Sequence, residues 1–171
     1  MIHYTEHTSP LGPLLLVANE AGLQAIYFQE HRHFAGLEQA VADGWQRNDA
    51  HPVLRETARQ LDRYFAGQLT HFDLPLAAAG TPFQQSVWLG LTRIPYGQTS
   101  SYGGLADAIG NRAAVRAVGA ANGRNPLSIV VPCHRVIGGD GALTGYAGGL
   151  ERKRYLLALE ARTLAASKAA A

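Results

Sequence analysis

The chain has 171 residues, of which 47% are hydrophobic and 16% are charged, and its formal net charge is +2. These values are typical of a globular protein and exclude a disordered chain. No apolar run is long enough to span a membrane, and the N-terminus lacks the basic-then-apolar order of a secretion signal. We therefore expect a soluble, cytoplasmic protein without a membrane partner, folded as two small domains.

Charge is distributed unevenly along the chain. Residues 1–80 carry five Lys or Arg against nine Asp or Glu, whereas residues 110–171 carry nine against three. This asymmetry indicates either that the C-terminal part binds a polyanion or that its solvated surface is simply basic. The single cysteine, Cys133, cannot form an internal disulfide, which fits a reducing compartment and leaves its thiol free for chemistry.

The N-terminal part has the pattern of a hairpin followed by a helix. Two apolar runs, residues 14–18 and 23–28, flank the Asn-Glu-Ala-Gly sequence at residues 19–22, which predicts a β-hairpin. Residues 53–65 show near-helical apolar spacing, and Gly67 follows as a C-cap. These signals predict a small sheet packed with a helix.

The composition changes at AAAGTP, residues 77–82, which we interpret as a domain boundary. Residues 71–76 can add a strand before it. The prediction is an α/β domain over residues 1–76 and a mainly helical domain over residues 77–171.

The second domain opens with strong helix signals. Thr81 is an N-cap, Pro82 suits the first helical position, and Gln84 completes a capping box, so a helix is predicted to about Arg93.

Two short helices follow. Ser101 can cap a helix over residues 102–109 that ends at Gly110, and Asn111 can cap the next helix. Short helices joined by a tight turn are a helix-turn-helix candidate, although many helix hairpins bind nothing.

The second of these helices has an unusual outward face. On a helical projection, Val115, Val118, Ala114 and Ala121 share one side, and the other side carries Arg112, Arg116, Gly119, Ala120 and Gly123. A surface of small residues allows close approach, either by another protein helix or by a narrow minor groove. Because it lacks the polar side chains that read base edges, sequence-specific regulation is disfavoured.

Cys133 lies in IVVPCHRVIG. Because Pro132 cannot donate to a sheet ladder, the SIVV run is predicted to be a strand that ends there and presents the cysteine at its exit. A lone cysteine is often only a small buried hydrophobe. Here His134 and Arg135 follow it, and a base and a positive charge are expected to push the thiol towards thiolate.

A carboxylate on the C-terminal helix is a candidate partner for the histidine. The predicted apolar stripe of this helix comprises Leu150, Lys153, Leu157, Glu160 and Leu164. Glu160 either pairs with His134 or reaches solvent at the margin of the stripe.

Five ordered motifs, TPFQQSVW, IPYGQTSSYGGLA, RAVGAANGRNP, VPCHRVIG and TGYAGGLERKRYLL, resemble the O6-alkylguanine-DNA alkyltransferase family between Thr81 and about Glu160. The N-terminal part resembles the family's ribonuclease-H-like domain only in size and strand-helix content. The resemblance implies an α/β N-terminal domain, with a small sheet plus helix, followed by a mainly α domain with a winged-helix-like helix-turn-helix.

The implied activity is that of a methylated-DNA–protein-cysteine S-methyltransferase. Such a protein flips O6-alkylguanine, and also O4-alkylthymine, out of the duplex and transfers the alkyl group irreversibly to its own cysteine, without a cofactor. It would bind double-stranded DNA as a monomer, through the minor groove and with little sequence preference. The alternative is a non-catalytic lesion-binding protein that recruits other repair, a group in which the cysteine is replaced.

The resemblance also implies residue roles. Cys133 would accept the alkyl group, His134 and Glu160 would activate it, and Asn125 would act as a hinge. Tyr102 and Lys153 would assist departure of guanine, while the base pocket would use Tyr102, Tyr146 and the backbones of Cys133, Val136 and Ala147. The DNA-binding set would be Tyr102, Gly103, Asn111, Arg112, Arg116 as the finger that replaces the flipped nucleotide, Gly119, Ala120 and Arg124. No metal is expected, because the N-terminal part lacks cysteine and His31 with His33 is too weak a signal.

Overall fold

The computed structural model describes residues 1–170. The chain forms two compact units, one over Met1–Ala79 and one from Gly80 onwards. Within residues 1–170, no helix combines the length and the apolar character that a bilayer span requires.

The first unit is a four-stranded sheet with two helices. Its elements are β1 (His3–Ser9), β2 (Gly12–Asn19), β3 (Gly22–Phe28), α1 (Leu37–Ala42), β4 (Gln46–Arg47) and α2 (Pro52–Phe65). The strand order is β3-β2-β1-β4, with antiparallel pairs except for the short parallel pairing of β1 with β4. The predicted hairpin and helix are confirmed, and Gly67 follows α2 with φ +73°.

Side chains of the sheet pack on both faces, as alternation along a strand requires. Helix α2 packs against β1, β2 and β3, and its Leu54, Leu61 and Tyr64 are fully buried. A second cluster contains Leu15 and Val17, against which aromatic and aliphatic side chains outside the strands pack. The sheet is therefore covered on both sides within this unit.

The predicted strand over residues 71–76 is wrong. Only Leu76 forms a bridge, to Leu23, and Pro75 has no amide hydrogen to donate. The side chain of Gln60 instead binds the backbone of Asp73, donating to its carbonyl and accepting from its amide, each at 2.9 Å. The Gln60 side chain thus satisfies the backbone of Asp73, and among residues 71–77 only the backbone of Pro75 and Ala77 bonds to the strand β3, at Leu23.

The second unit is mainly helical. It contains α3 (Pro82–Leu91), β5 (Ser100–Ser101), α4 (Tyr102–Ala108), α5 (Val115–Gly123), β6 (Val136–Ile137) and α6 (Leu150–Ala170), with 3-10 turns at Arg112–Ala114 and Cys133–Arg135. Strands β5 and β6 form a short parallel pair. Helices α4 and α5 pack against each other and against α3, in the predicted helix-turn-helix arrangement.

Two of the three predicted helix N-caps are present. The Thr81 hydroxyl accepts from the amide of Gln84 at 3.1 Å while the Gln84 side chain accepts from the amide of Thr81, and Ser101 caps α4 by accepting from Gly104. The predicted cap at Asn111 is wrong: its side chain makes no capping bond, and a 3-10 turn separates it from α5.

The predicted strand before the cysteine is also wrong. Residues 127–133 form consecutive tight turns, in which Val131 donates to Leu127 and Cys133 donates to Val131, and Ile129 adopts φ +73°. The side chain of Asn125 satisfies this backbone, because its Nδ2 donates to Val131 and its Oδ1 accepts from Leu127. The apolar run is buried as turns, and the strand β6 comes after Cys133.

Candidate active site

Glu160 of α6 is the centre of a buried network in the second unit. Its side chain is 1% exposed, and its Oε2 lies 2.7 Å from Nε2 of His134. The structure thus brings together the carboxylate and the imidazole that the sequence proposed as partners. The amide of Gly97 also donates to Oε1, at 3.4 Å. The carboxylate therefore reaches both the 3-10 turn that carries Cys133 and the turn after α3.

Arg135 is a further member of this network, although the sequence identifies it only as a positive charge near Cys133. Its Nε donates to Oε1 of Glu160 at 2.8 Å and its Nη2 to Oε2 at 3.0 Å. Its Nη1 donates to the carbonyl of Ile94 at 2.7 Å, and its guanidinium lies 5.5 Å from the centre of the Tyr96 ring. The signal that could identify Arg135 in the sequence is its position directly after His134, because a buried Glu160 can pair with either of these two side chains.

The protonation states follow from these contacts. Burial by itself raises the pKa of Glu160, but hydrogen bonds from His134 and Arg135 outweigh it and hold that pKa at about 2. Burial lowers the pKa of His134, which favours the neutral ring. Because an ionised carboxylate only accepts, Nε2 must carry the imidazole hydrogen. Nδ1, buried and without a hydrogen-bond partner within residues 1–170, keeps a free lone pair.

Cys133 begins the 3-10 turn and is 3% exposed. Burial raises the pKa of its thiol to about 11, although a hydrogen bond with Asn125 and the charge of Lys153 act in the opposite direction. The expectation of a resting thiolate is therefore wrong, because loss of hydration outweighs the nearby positive charge. The resting group is a thiol, and the next residue in the chain, His134, is a neutral base.

A direct prediction concerns the reactivity of this thiol. At pH 8 the folded protein should react with iodoacetamide about two orders of magnitude more slowly than an ordinary cysteine, because little thiolate is present. The same chain in urea is the control, since Cys133 is its only cysteine. Equal alkylation rates for the folded and the unfolded protein, measured by mass spectrometry, would contradict the raised pKa.

Lys153 lies on the buried face of α6 and is fully buried, and this burial lowers its pKa. Its ammonium donates to the carbonyls of Val136 and Thr144, each at 2.6 Å, and to that of Gly145 at 3.5 Å. It therefore joins the two ends of the segment that follows the cysteine. The rest of the predicted stripe on α6 is only partly correct, because Leu150 is exposed whereas Leu156 and Leu159 are buried.

Two tyrosines flank the same segment. The hydroxyl of Tyr102, at the start of α4, lies 2.9 Å from the hydroxyl of Thr144. Tyr146 is partly buried; burial raises its pKa well above the ordinary value, and a charge on Cys133 raises it further. Val136 is buried and Ala147 is partly buried in this segment. The predicted pocket residues thus belong to one continuous piece of chain after the cysteine, joined by Tyr102.

Helix α5 presents the predicted face to solvent. Exposed residues on or beside it are Asn111, Arg112, Arg116, Ala120 and Arg124, and Gly103, Gly119 and Gly123 are half-buried. The opposite side is anchored, because Val118 and Ala121 are buried and the Trp88 indole donates to the Ala121 carbonyl at 2.9 Å. Arg112 pairs with Asp107. The exposed face is basic and nearly free of large side chains.

No group of three His, Cys, Asp or Glu side chains within residues 1–170 is arranged to hold a metal ion. His31 is occupied structurally, since its Nδ1 accepts from the amide of Phe28 at 3.3 Å.

Two family models cover nearly the whole chain. The ribonuclease-like domain of 6-O-methylguanine DNA methyltransferase matches residues 2–78, and the DNA-binding domain of the same protein matches residues 82–162. The chain belongs to the 6-O-methylguanine DNA methyltransferase family. This confirms the resemblance seen in the five motifs, and it extends membership to the N-terminal unit, which resembled the family only coarsely.

Individual members of this family match nearly the full length of the chain. A methylated-DNA–protein-cysteine methyltransferase of Methanosarcina acetivorans is 50% identical over 159 residues, covering 93% of this chain and 98% of the relative. One from Mycobacterium tuberculosis is 49% identical over 160 residues, covering 94% and 93%. The crystal structure of M. tuberculosis OGT in complex with DNA superposes with a TM-score of 0.86 at 46% identity, over 94% of each chain. The two-domain methyltransferase fold is therefore confirmed.

Proposed function

We propose that this protein repairs DNA by transferring the alkyl group of O6-alkylguanine to Cys133, once per molecule. The observation that carries the proposal is the buried pair of consecutive residues Cys133 and His134: Glu160 holds Nε2 of His134, Nδ1 has no hydrogen-bond partner within residues 1–170, and the preceding residue carries a protonated thiol. The names of the relatives and the DNA complex of the M. tuberculosis protein support the same activity. O4-alkylthymine is a second proposed substrate.

The proposed chemistry is an in-line displacement at the alkyl carbon. Nδ1 of His134 takes the thiol proton, directly or through one water, while Glu160 stabilises the resulting imidazolium. The sulfur of Cys133 then forms a bond to the alkyl carbon as the bond from that carbon to O6 breaks, and the leaving electron pair goes to guanine. The thiol proton is finally delivered to the guanine, so no cofactor is required. The thioether product is stable, which limits each molecule to one turnover.

The surrounding residues are proposed to receive the base and favour its departure. The charge of Lys153 lowers the pKa of Cys133, and the same charge would favour an anionic guanine. Tyr102 would donate to the leaving base after giving up its bond to Thr144. Tyr146 would form a wall of the pocket, and backbone groups of Cys133, Val136 and Ala147 would bind the base edge.

Asn125 is proposed to be the hinge between the DNA-binding helix and the cysteine. It is buried directly after α5, and both ends of its side chain bind the turns that lead to Cys133. A change in the position of α5 on DNA would therefore be transmitted to the acceptor through one amide group.

The exposed face of α5 is the proposed DNA interface. We propose that it enters the minor groove of duplex DNA, with Arg112, Arg124 and the exposed backbone near Gly119 contacting phosphate and sugar, and that Tyr102, Gly103, Asn111 and Ala120 line the approach. Arg116 would occupy the space left by the flipped nucleotide. Contacts of this kind carry little base-edge information, so sequence preference should be weak. We propose that the protein acts on DNA as a monomer and is located in the cytoplasm.

The alternative is lesion binding without transfer, and one experiment separates the two. The protein is mixed with a duplex containing O6-methylguanine and digested for mass spectrometry. The peptide bearing Cys133 should gain one methylene mass in equal amount to the lesion lost, and Cys133→Ala should bind the duplex without any gain. A stable complex with the lesion intact and Cys133 unmodified would support the lesion-binding alternative.

A further inference from the structure

Arg135 is buried in the network but has no part in the proton transfer just described. It contributes two of the hydrogen bonds that Glu160 accepts, one to each carboxylate oxygen, while His134 shares Oε2 with it. The carboxylate therefore has two possible cationic partners, of which only the guanidinium is permanently charged. How the single negative charge is shared between them decides whether His134 is a neutral base or an imidazolium.

We propose that Arg135 is a positioning residue that neutralises Glu160 and so keeps His134 uncharged, with its hydrogen on Nε2 and its Nδ1 available to Cys133. This inference rests on the proposed function and concerns the same site. The geometry supports it because the guanidinium is fixed independently of the histidine, by the carbonyl of Ile94 and the ring of Tyr96.

All charged or titratable groups around His134 act in a defined direction. Glu160 favours the imidazolium, whereas Arg135 and Lys153 disfavour it, as does burial. Cys133, Tyr96 and Tyr146 face the same network as neutral hydroxyl or thiol groups in the resting state. Removing the guanidinium charge therefore leaves an ionised Glu160 that is still hydrogen-bonded to the titratable ring of His134, which can become protonated to compensate it.

The first test uses the unmodified protein and requires no variant. Nitrogen NMR of histidine-labelled protein reports the protonation of both ring nitrogens. His134 should be mostly in the neutral form with hydrogen on Nε2 at pH 6.5, where an ordinary histidine with a pKa of about 6.5 is half protonated. A doubly protonated His134 at neutral pH would overturn the proposal even if methyl transfer itself occurs.

The second test compares two substitutions of Arg135. Arg135→Gln removes the charge and should therefore raise the His134 pKa. In a plot of the single-turnover rate against pH, the acid limb, where the rate falls, should then move to higher pH by about one unit or more. Arg135→Lys keeps the charge but loses the two-pronged contact, so its limb should stay near that of the unmodified protein although its rate falls. Arg162→Gln, an exposed residue on α6, is the matched control and should change neither value.

The two variants separate positioning from a purely structural role. If Arg135 only holds the fold, both variants should lose rate equally at every pH, and no shift of the limb should appear; that outcome overturns the proposal. If Arg135→Gln does not fold, the comparison rests on Arg135→Lys and on the NMR of the unmodified protein. Failure of the unmodified protein to methylate Cys133 would instead refute the proposed function, which the NMR result does not depend on.

Discussion

Replacing Glu160 with Gln should slow single-turnover methyl transfer by about 10²- to 10⁴-fold, the range that a positioned general base contributes. The amide cannot stabilise the imidazolium that forms when His134 takes the thiol proton. Because burial raises the pKa of Cys133 to about 11, the reaction depends on this base rather than on thiolate already present. Rapid-quench assays with a methylated duplex measure the effect.

The same substitution should lower the free energy of unfolding by about 3–5 kcal/mol, because it leaves the buried Arg135 without its counter-ion. The folded-state pKa of Glu160 is about 2, below its ordinary value of 4.5. The carboxylate therefore stabilises the fold fully above that ordinary value, and this contribution is lost as the pH falls towards 2. The unmodified protein should lose stability over this range, whereas the Gln variant should lack that part of the decline.

Glu151→Gln is the matched control, since Glu151 is an exposed carboxylate in the first turn of the same helix. It should leave both the transfer rate and the acid stability close to those of the unmodified protein. Urea unfolding followed by tryptophan fluorescence at several pH values gives the comparison. An acid profile of the Glu160 variant identical to that of the unmodified protein would show that the carboxylate is not ionised in the buried network.

Local signals allowed much of the fold to be predicted. A capping box at Thr81, a hydroxyl cap at Ser101 and a hairpin around residues 19–22 each depend on neighbours within a few positions, so the sequence contains all the information they need. The pairing of His134 with Glu160 could also be predicted, because a carboxylate on an apolar stripe requires a partner.

Features that depend on residues far apart in the chain could not be predicted from the sequence in the same way. The run before Cys133 reads as a strand, but the side chain of Asn125 binds its backbone and makes turns possible. The bonds from Lys153 to three carbonyls join parts of the chain whose proximity exists only after folding. The protonation state of the thiol cannot be predicted for a related reason, since the sequence shows neighbouring charges but not the loss of water that outweighs them.

Replacing Arg116 with Ala should uncouple DNA binding from repair. This exposed side chain lies on the small-residue face of α5, and losing one cationic contact should weaken binding of an undamaged duplex only a few-fold. Methyl transfer from a duplex should fall by about 10²-fold or more. Without Arg116, no side chain would fill the gap that the flipped base leaves in the base stack, and extruding the base costs a few kcal/mol. Transfer from free O6-methylguanine base, which needs no extrusion, should be unchanged.

Arg116→Lys tests the same interpretation from the other side. Lysine keeps the positive charge, so affinity for duplex DNA should return, but its ammonium cannot stack in place of a base as the planar guanidinium does. The transfer rate from a duplex should therefore stay low. Arg162→Ala, which removes an exposed arginine from α6, should match the unmodified protein in all three measurements. Equal losses of duplex and free-base transfer in Arg116→Ala would indicate instead that the substitution disturbs the Cys133 site, and the assignment of Arg116 to base extrusion would fail.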